Sequence, residues 1–188
     1  MSTLRAATIT ATALALSACA GPKPLKIPGD ASDSVTGRTC LKAQPGNPAI
    51  SIPIHGVKSI GESAVTITDI ELVDAKQMTL VGAEIAQWPP DVPNKVPNTV
   101  VGGPFPPDER DPELVWGNGL TATDAVLDPG TTWTLSVGVK PGAAVSVLKW
   151  ITVKYVDADG NDYVSHTAEA FMVRADCFVD HDSPAGYD

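Results

Sequence analysis

The nine residues Thr131 to Val139, TTWTLSVGV, alternate without a fault: Trp133, Leu135, Val137 and Val139 fall on one side of an extended chain, Thr132, Thr134, Ser136 and Gly138 on the other. Successive side chains of a strand point to opposite faces, so the run predicts a strand with one face in a core and the other toward solvent. Other segments carry variants of the same signal. Val65 and Ile67 keep odd parity while Ile70 and Leu72 are even, which predicts a bulge or break near Thr68-Asp69. Met78 to Ile85 and Val145 to Val156 are apolar on both faces for part of their length, as central strands under a second cover are. Asp157 to Asn161, DADGN, turns the chain back into Asp162 to Val173, because Asp-Gly suits a tight hairpin. Gly37 to Lys42, Ala49 to Ile54 and Leu120 to Val126 are shorter candidates. Val164, Ala168, Phe171 and Ala175 would also line one side of a helix; the strand reading is preferred, and it puts His166 on a face with Ala168, Ala170 and Met172.

Seventeen prolines, 16 glycines and only 5% aromatic residues favour short elements joined by many turns. Seven to nine short strands punctuated by PG, GN and DG describe an all-β protein, an antiparallel two-sheet sandwich, better than any helical arrangement. The chain of 188 residues suits one such domain. The stretch AVTITDIELVDAKQMTLVGAEI, through its alternation and turns, resembles the small immunoglobulin-like modules of bacterial envelope lipoproteins, which implies that fold and little about function.

One segment departs from the strand pattern. Gln87 to Gly119 holds eight prolines in thirty-three residues, with Trp88, Phe105 and Trp116 spread through it. Long loops in compact domains usually have a use, prolines lower the entropy lost on ordering, and exposed aromatic rings supply contact area. Trp88, Phe105 and Trp116 are therefore the candidate ligand-contact residues. The competing reading is a meandering connection that folds its rings back over an open sheet edge.

The N-terminus places the chain. Met1 to Arg5 carry the free amine and one arginine, Ala6 to Ala15 form a weakly apolar stretch, and Leu16-Ser17-Ala18-Cys19 follows. That is a secretory signal layout, too short to cross a bilayer, which takes about 20 apolar residues as a helix. LSAC resembles the lipobox of bacterial lipoproteins. The resemblance implies that Cys19 is joined to diacylglycerol and becomes the first residue after cleavage, with residues 1–18 as signal peptide and the protein on the extracytoplasmic face of a membrane. Two acyl chains hold a protein on a bilayer where one is marginal. An ordinary signal cut near Ala18 or Ala20, or a cytosolic leader, are the alternatives. Residues 19–34, rich in proline, glycine and small polar side chains, read as a tether reaching up to roughly 45 Å from the lipid. The sandwich is then expected over 35–179, with an acidic tail over 180–188.

Cys40 and Cys177 remain, one near each end of the folded region. An even pair in an exported chain suggests a disulfide, which would restrict the unfolded chain by about 5 kcal/mol in the chain-entropy picture. Two unpaired thiols or a metal pair are the alternatives, though no CxxC or Cys/His spacing accompanies them.

A formal net charge of −9 gives no support for DNA or RNA binding, because non-specific affinity for nucleic acid comes from lysine and arginine displacing counterions. Catalytic motifs are sparse. Ser146-Val-Leu-Lys149 matches S-x-x-K but lies in a strand pattern without its partner motifs. Asp157, Asp159, Asn161 and Asp162 put glycine fourth, whereas a calcium loop needs it sixth, so turn chemistry suffices. His55, His166 and His181 are too scattered for a metalloprotease helix, and Asp180-His181-Asp182 reads as a solvated acidic tail. Met78, Met172 and His166 are available to copper without characteristic spacing. The expected function is a lipid-anchored envelope module without catalytic activity, cofactor or metal, binding a protein, an envelope polymer or a small ligand. A solute or copper carrier and an accessory to an envelope hydrolase are the alternatives.

Overall fold

The computed structural model describes residues 22–30, 35, 37–89, 101–107, 116, 119–142 and 145–177. Among them no helix forms. The strands are β1 (Leu25–Lys26), β2 (Gly37–Lys42), β3 (Ile50–Ser59), β4 (Val65–Val73), β5 (Met78–Gln87), β6 (Leu120–Thr121), β7 (Val126–Leu127), β8 (Thr132–Pro141), β9 (Val145–Leu148), β10 (Trp150–Asp157), β11 (Asp162–His166) and β12 (Glu169–Arg174). They make a five-stranded sheet ordered β1-β3-β8-β5-β6, a four-stranded sheet β11-β10-β4-β7 and a three-stranded sheet β2-β12-β9. The architecture is an all-β sandwich, and its antiparallel ladders are the ones that alternation and turn signals favour.

The core follows from parity. On β8, Trp133, Leu135, Val137 and Val139 point inward, as read from the sequence. They meet Ile52 and Ile54 from β3 and Ile85 from β5 in one cluster with Val65, Ile67 and Ile70 of β4, Ile151, Val153 and Tyr155 of β10, and Phe171 and Val173 of β12. Burying a side chain of this size contributes about 1.5–3 kcal/mol each. The phase slip in β4 is a bulge: Lys154 pairs with Asp69 and Tyr155 with Ile67, leaving Thr68 as the extra residue.

Three expected strands divide, and for one reason: each hands the chain from one sheet to another. Leu120–Thr121 pairs with β5, then Ala122 N–H bonds the Ala83 carbonyl and Asp124 N–H the Ile67 carbonyl, so Val126–Leu127 emerges beside β4. The run from Val145 breaks at Lys149, where β9 leaves β12 and β10 joins β4. The run from Asp162 breaks at Thr167-Ala168, where β11 leaves β10 and β12 enters between β2 and β9. The β2–β12 pair is parallel, the one departure from antiparallel pairing among the described ladders. It is joined by the disulfide Cys40–Cys177, with Cα atoms 5.8 Å apart and 137 residues between the two cysteines.

The expected tether over 19–34 is corrected. Residues 22–30 belong to the sandwich: Leu25 and Ile27 are each 1% exposed, and β1 pairs with the end of β3 through Leu25–Ser59 and Lys26–Lys58. The Pro24 carbonyl accepts bonds from Ile60 N–H (2.8 Å) and Gly61 N–H (3.1 Å). Asp30 then pins the segment to β11, accepting from Ser165 Oγ (2.8 Å), His166 N–H (3.0 Å) and Lys23 Nζ (3.1 Å).

Candidate functional site

The polar face of β8 is not solvent. Thr134 and Ser136 are each 0% exposed, and Gly138 is buried with them. The strand registers line these residues up in three short rows across β3, β8 and β5: Ser51–Gly138–Gly82, Pro53–Ser136–Glu84 and His55–Thr134–Ala86. Small side chains at the centre of each row leave room above them for larger rings. The described parts of the Pro-rich segment, Trp88 and residues 101–107, lie over these rows.

Phe105 covers the first row. A Cβ built on Gly138 would lie 2.3–2.5 Å from three atoms of its ring, so only glycine admits the phenyl group there. Hydrogen bonds hold the ring's segment against the start of β3: Ser51 N–H to the Gly103 carbonyl (2.8 Å), Gly102 N–H to the Ser51 carbonyl (2.9 Å) and the Ser51 hydroxyl Oγ to the Pro104 carbonyl (2.7 Å). Trp88 covers the third row. Its backbone N–H bonds the Thr132 carbonyl at 2.9 Å, and its indole Nε1 donates to Thr134 Oγ1 at 2.9 Å. His55 Nδ1 lies 3.3 Å from the same hydroxyl, and burial pushes the imidazole below its ordinary value, favouring the neutral ring. Beside the middle row, Trp116 donates from Nε1 to Glu84 Oε2 at 2.9 Å and is 1% exposed. Gly119 is its counterpart to Gly138, since a Cβ there would sit 2.5 Å from the indole nitrogen.

The structure therefore brings Trp88, Phe105 and Trp116 to one side of one sheet and uses them first as packing. Trp116 is interior and offers no contact area as it stands, against its reading as a ligand-contact residue and in keeping with the competing reading of rings folded back onto the sheet. Trp88 and Phe105 are half-buried and keep part of their edges outward. The indole N–H groups find partners because a buried donor without one costs about 1–3 kcal/mol. Ser136 Oγ lies beneath this roof with no hydrogen-bond partner.

The remaining candidates are dispersed. Ser146 is buried on β9, while Lys149, at the break after it, pairs with Asp74 at 3.5 Å and lies 4.2 Å from the Trp150 ring centroid. Met78, His166 and Met172 sit on β5, β11 and β12, with His166 against Trp150 at a centroid distance of 4.9 Å. Among the described residues no group of three or more His, Cys, Asp or Glu could hold a metal. The DADGN acid is spent on the turn: Asp157 accepts from Asp159 N–H, Asn161 N–H, Asn161 Nδ2 and Tyr163 Oη, each at 2.9 Å, which holds its carboxyl at about 2. Sequence reasoning missed Asp30, whose three donors come from residues seven, 135 and 136 positions away. Cys19 and the Asp180-His181-Asp182 tail lie outside the described residues.

No family profile and no curated protein matches the sequence. Among solved structures the chain is similar to the ASH/PapD-like domain of human CEP192 (PapD-like domain 7), at 7% identity and a TM-score of 0.40, over 90% of this chain and 98% of that one.

Proposed function

We propose that this chain is a lipid-anchored module of the bacterial cell envelope that works by non-covalent binding, with Cys19 as the acylated residue and the sandwich on the extracytoplasmic side of the membrane. The observation that supports it best is the cysteine arithmetic. Cys40 and Cys177 form a disulfide, a bond that persists in oxidising compartments, and the third cysteine ends LSAC behind an apolar leader. An unpaired thiol in such a compartment needs an explanation, and acylation supplies one. The outer face of the five-stranded sheet is the surface offered to a partner, through the outward edges of Trp88 and Phe105; Trp116 serves by fixing Glu84 beneath them. The work is binding without bond chemistry.

Fractionation of the producing cell tests the anchor. The wild-type protein should stay with membranes, lack residues 1–18 and carry the mass of a diacylglycerol group on Cys19, whereas Cys19→Ser should accumulate with its leader uncut and without added mass. A Cys19→Ser protein processed and retained like wild type would sink the reading. Crosslinking in intact cells before mass spectrometry identifies what the module holds.

A further inference from the structure

The way the N-terminal segment docks decides which end of the sandwich would meet a membrane. β1 runs antiparallel to β3 and pairs with its last residues, so the chain upstream of Leu25 leaves from the end where β3 finishes. That same end carries the turn at 60–64, the turn at 128–131, joined to it through Ser59 N–H to the Thr131 carbonyl (3.1 Å) and Gly130 N–H to the Ser59 carbonyl (2.9 Å), and the 157–161 turn beside Val65. Pro24 is clamped there by Ile60 and Gly61. Only four residues, Ala20 to Lys23, separate Cys19 from that clamp. Fully extended, they reach about 18 Å. A ten-residue strand is about 33 Å long, so the far end, with Lys42, Lys140 and Arg174, lies well beyond that reach.

From this, we infer that the bilayer surface is the partner of the 60–64/128–131/157–161 end, and that the module stands on it in one orientation with Lys42, Lys140 and Arg174 turned away. The inference rests on acylation of Cys19. It does not rest on charge. The membrane-side end carries Glu62, Asp128, Asp157, Asp159 and Asp162 against Lys23, Lys26 and Lys58, so it lacks the basic footprint that draws a protein to anionic lipid. The short clamped lead-in does the orienting, and Ile60, 53% exposed on that end, is the apolar side chain placed to touch the headgroup region.

The test uses the acylated protein purified from membranes and reconstituted in vesicles of three parts phosphatidylethanolamine to one of phosphatidylglycerol, with a headgroup-attached quencher. A fluorophore is placed on Glu62→Cys, Asp159→Cys or Lys140→Cys. Labels at 62 and 159 should be quenched several-fold more than the label at 140, with little dependence on salt. Equal quenching at all three positions, or stronger quenching at 140, overturns the orientation. A ten-residue Gly/Ser insertion after Gly21, which leaves every described contact in place, should erase the difference; a difference that survives the insertion means the tether does not set the orientation, and the inference falls. Protein that carries no acyl group and does not sediment with the vesicles defeats the anchor reading instead, and the orientation with it, a result plainly distinct from quenching without a gradient.

Discussion

Gly138 sits where the outer face is tightest, with the Phe105 ring occupying the place of its missing side chain. Gly138→Ala should therefore lower stability by about 1–3 kcal/mol through overpacking, since ring and backbone must both shift. In urea unfolding the midpoint should fall while the slope stays as it is. An unmoved midpoint would show that the roof yields freely. The sequence made this residue legible as an outward-facing one and nothing more. Alternation tells which side of a strand a residue takes, but not what later covers that side, and here the cover comes from Phe105, thirty-three positions earlier in the chain. For the same reason Trp88, Phe105 and Trp116 were legible as a group, with both a partner surface and a roof left open. Pattern alone cannot separate a ring held out to a partner from one folded onto Thr134 or Glu84.

The β10–β11 hairpin shows what one short element can disclose in advance. Asp-Gly in DADGN marks the turn, Gly160 takes φ +81°, and Asp157 binds the loop from both carboxylate oxygens. With its carboxyl held at about 2 against an ordinary 3.8, the folded form binds fewer protons than the unfolded chain between those values. The contribution of Asp157 is thus complete above 3.8 and is lost as pH falls toward about 2. Urea midpoints measured through this window should slope less for Asp157→Asn than for wild type; parallel slopes would mean the turn bonds do not discriminate between the two protonation states. Other elements were less legible. The breaks at Lys149 and Thr167-Ala168 arise where a strand changes partners, a choice made by distant residues, so the apolar run continues through them. Leu25 and Ile27 were missed because two alternating apolar residues are too few to show a period; Leu25 is held by Ser59 and by Tyr155, whose hydroxyl lies 3.5 Å from its carbonyl.

At the scale of the molecule, the fold class was readable because each ladder leaves its mark locally, whereas the parallel β2–β12 pair joins residues about 130 positions apart and leaves none. The cysteines were the exception, two letters that report a long-range contact directly. Reducing Cys40–Cys177, or replacing both residues with serine, should lower stability by about 2–5 kcal/mol, read as a drop in urea midpoint at constant protein concentration. An unchanged midpoint would mean that β2 and β12 hold each other without the bridge. The bridge also has a mechanical side. Tension on the chain ahead of Pro24 loads first the two-residue β1 ladder, then the Asp30 bonds to β11 and the first pairs of β2 with β12; once these give, the stretch from Pro24 to Cys40 spans at most roughly 55 Å before the force arrives at sulfur. There the stretching stops, with the body between the cysteines still shut. A pull on that N-terminal lead-in would be taken up by a sacrificial length of backbone, which can re-zip once the strain has passed.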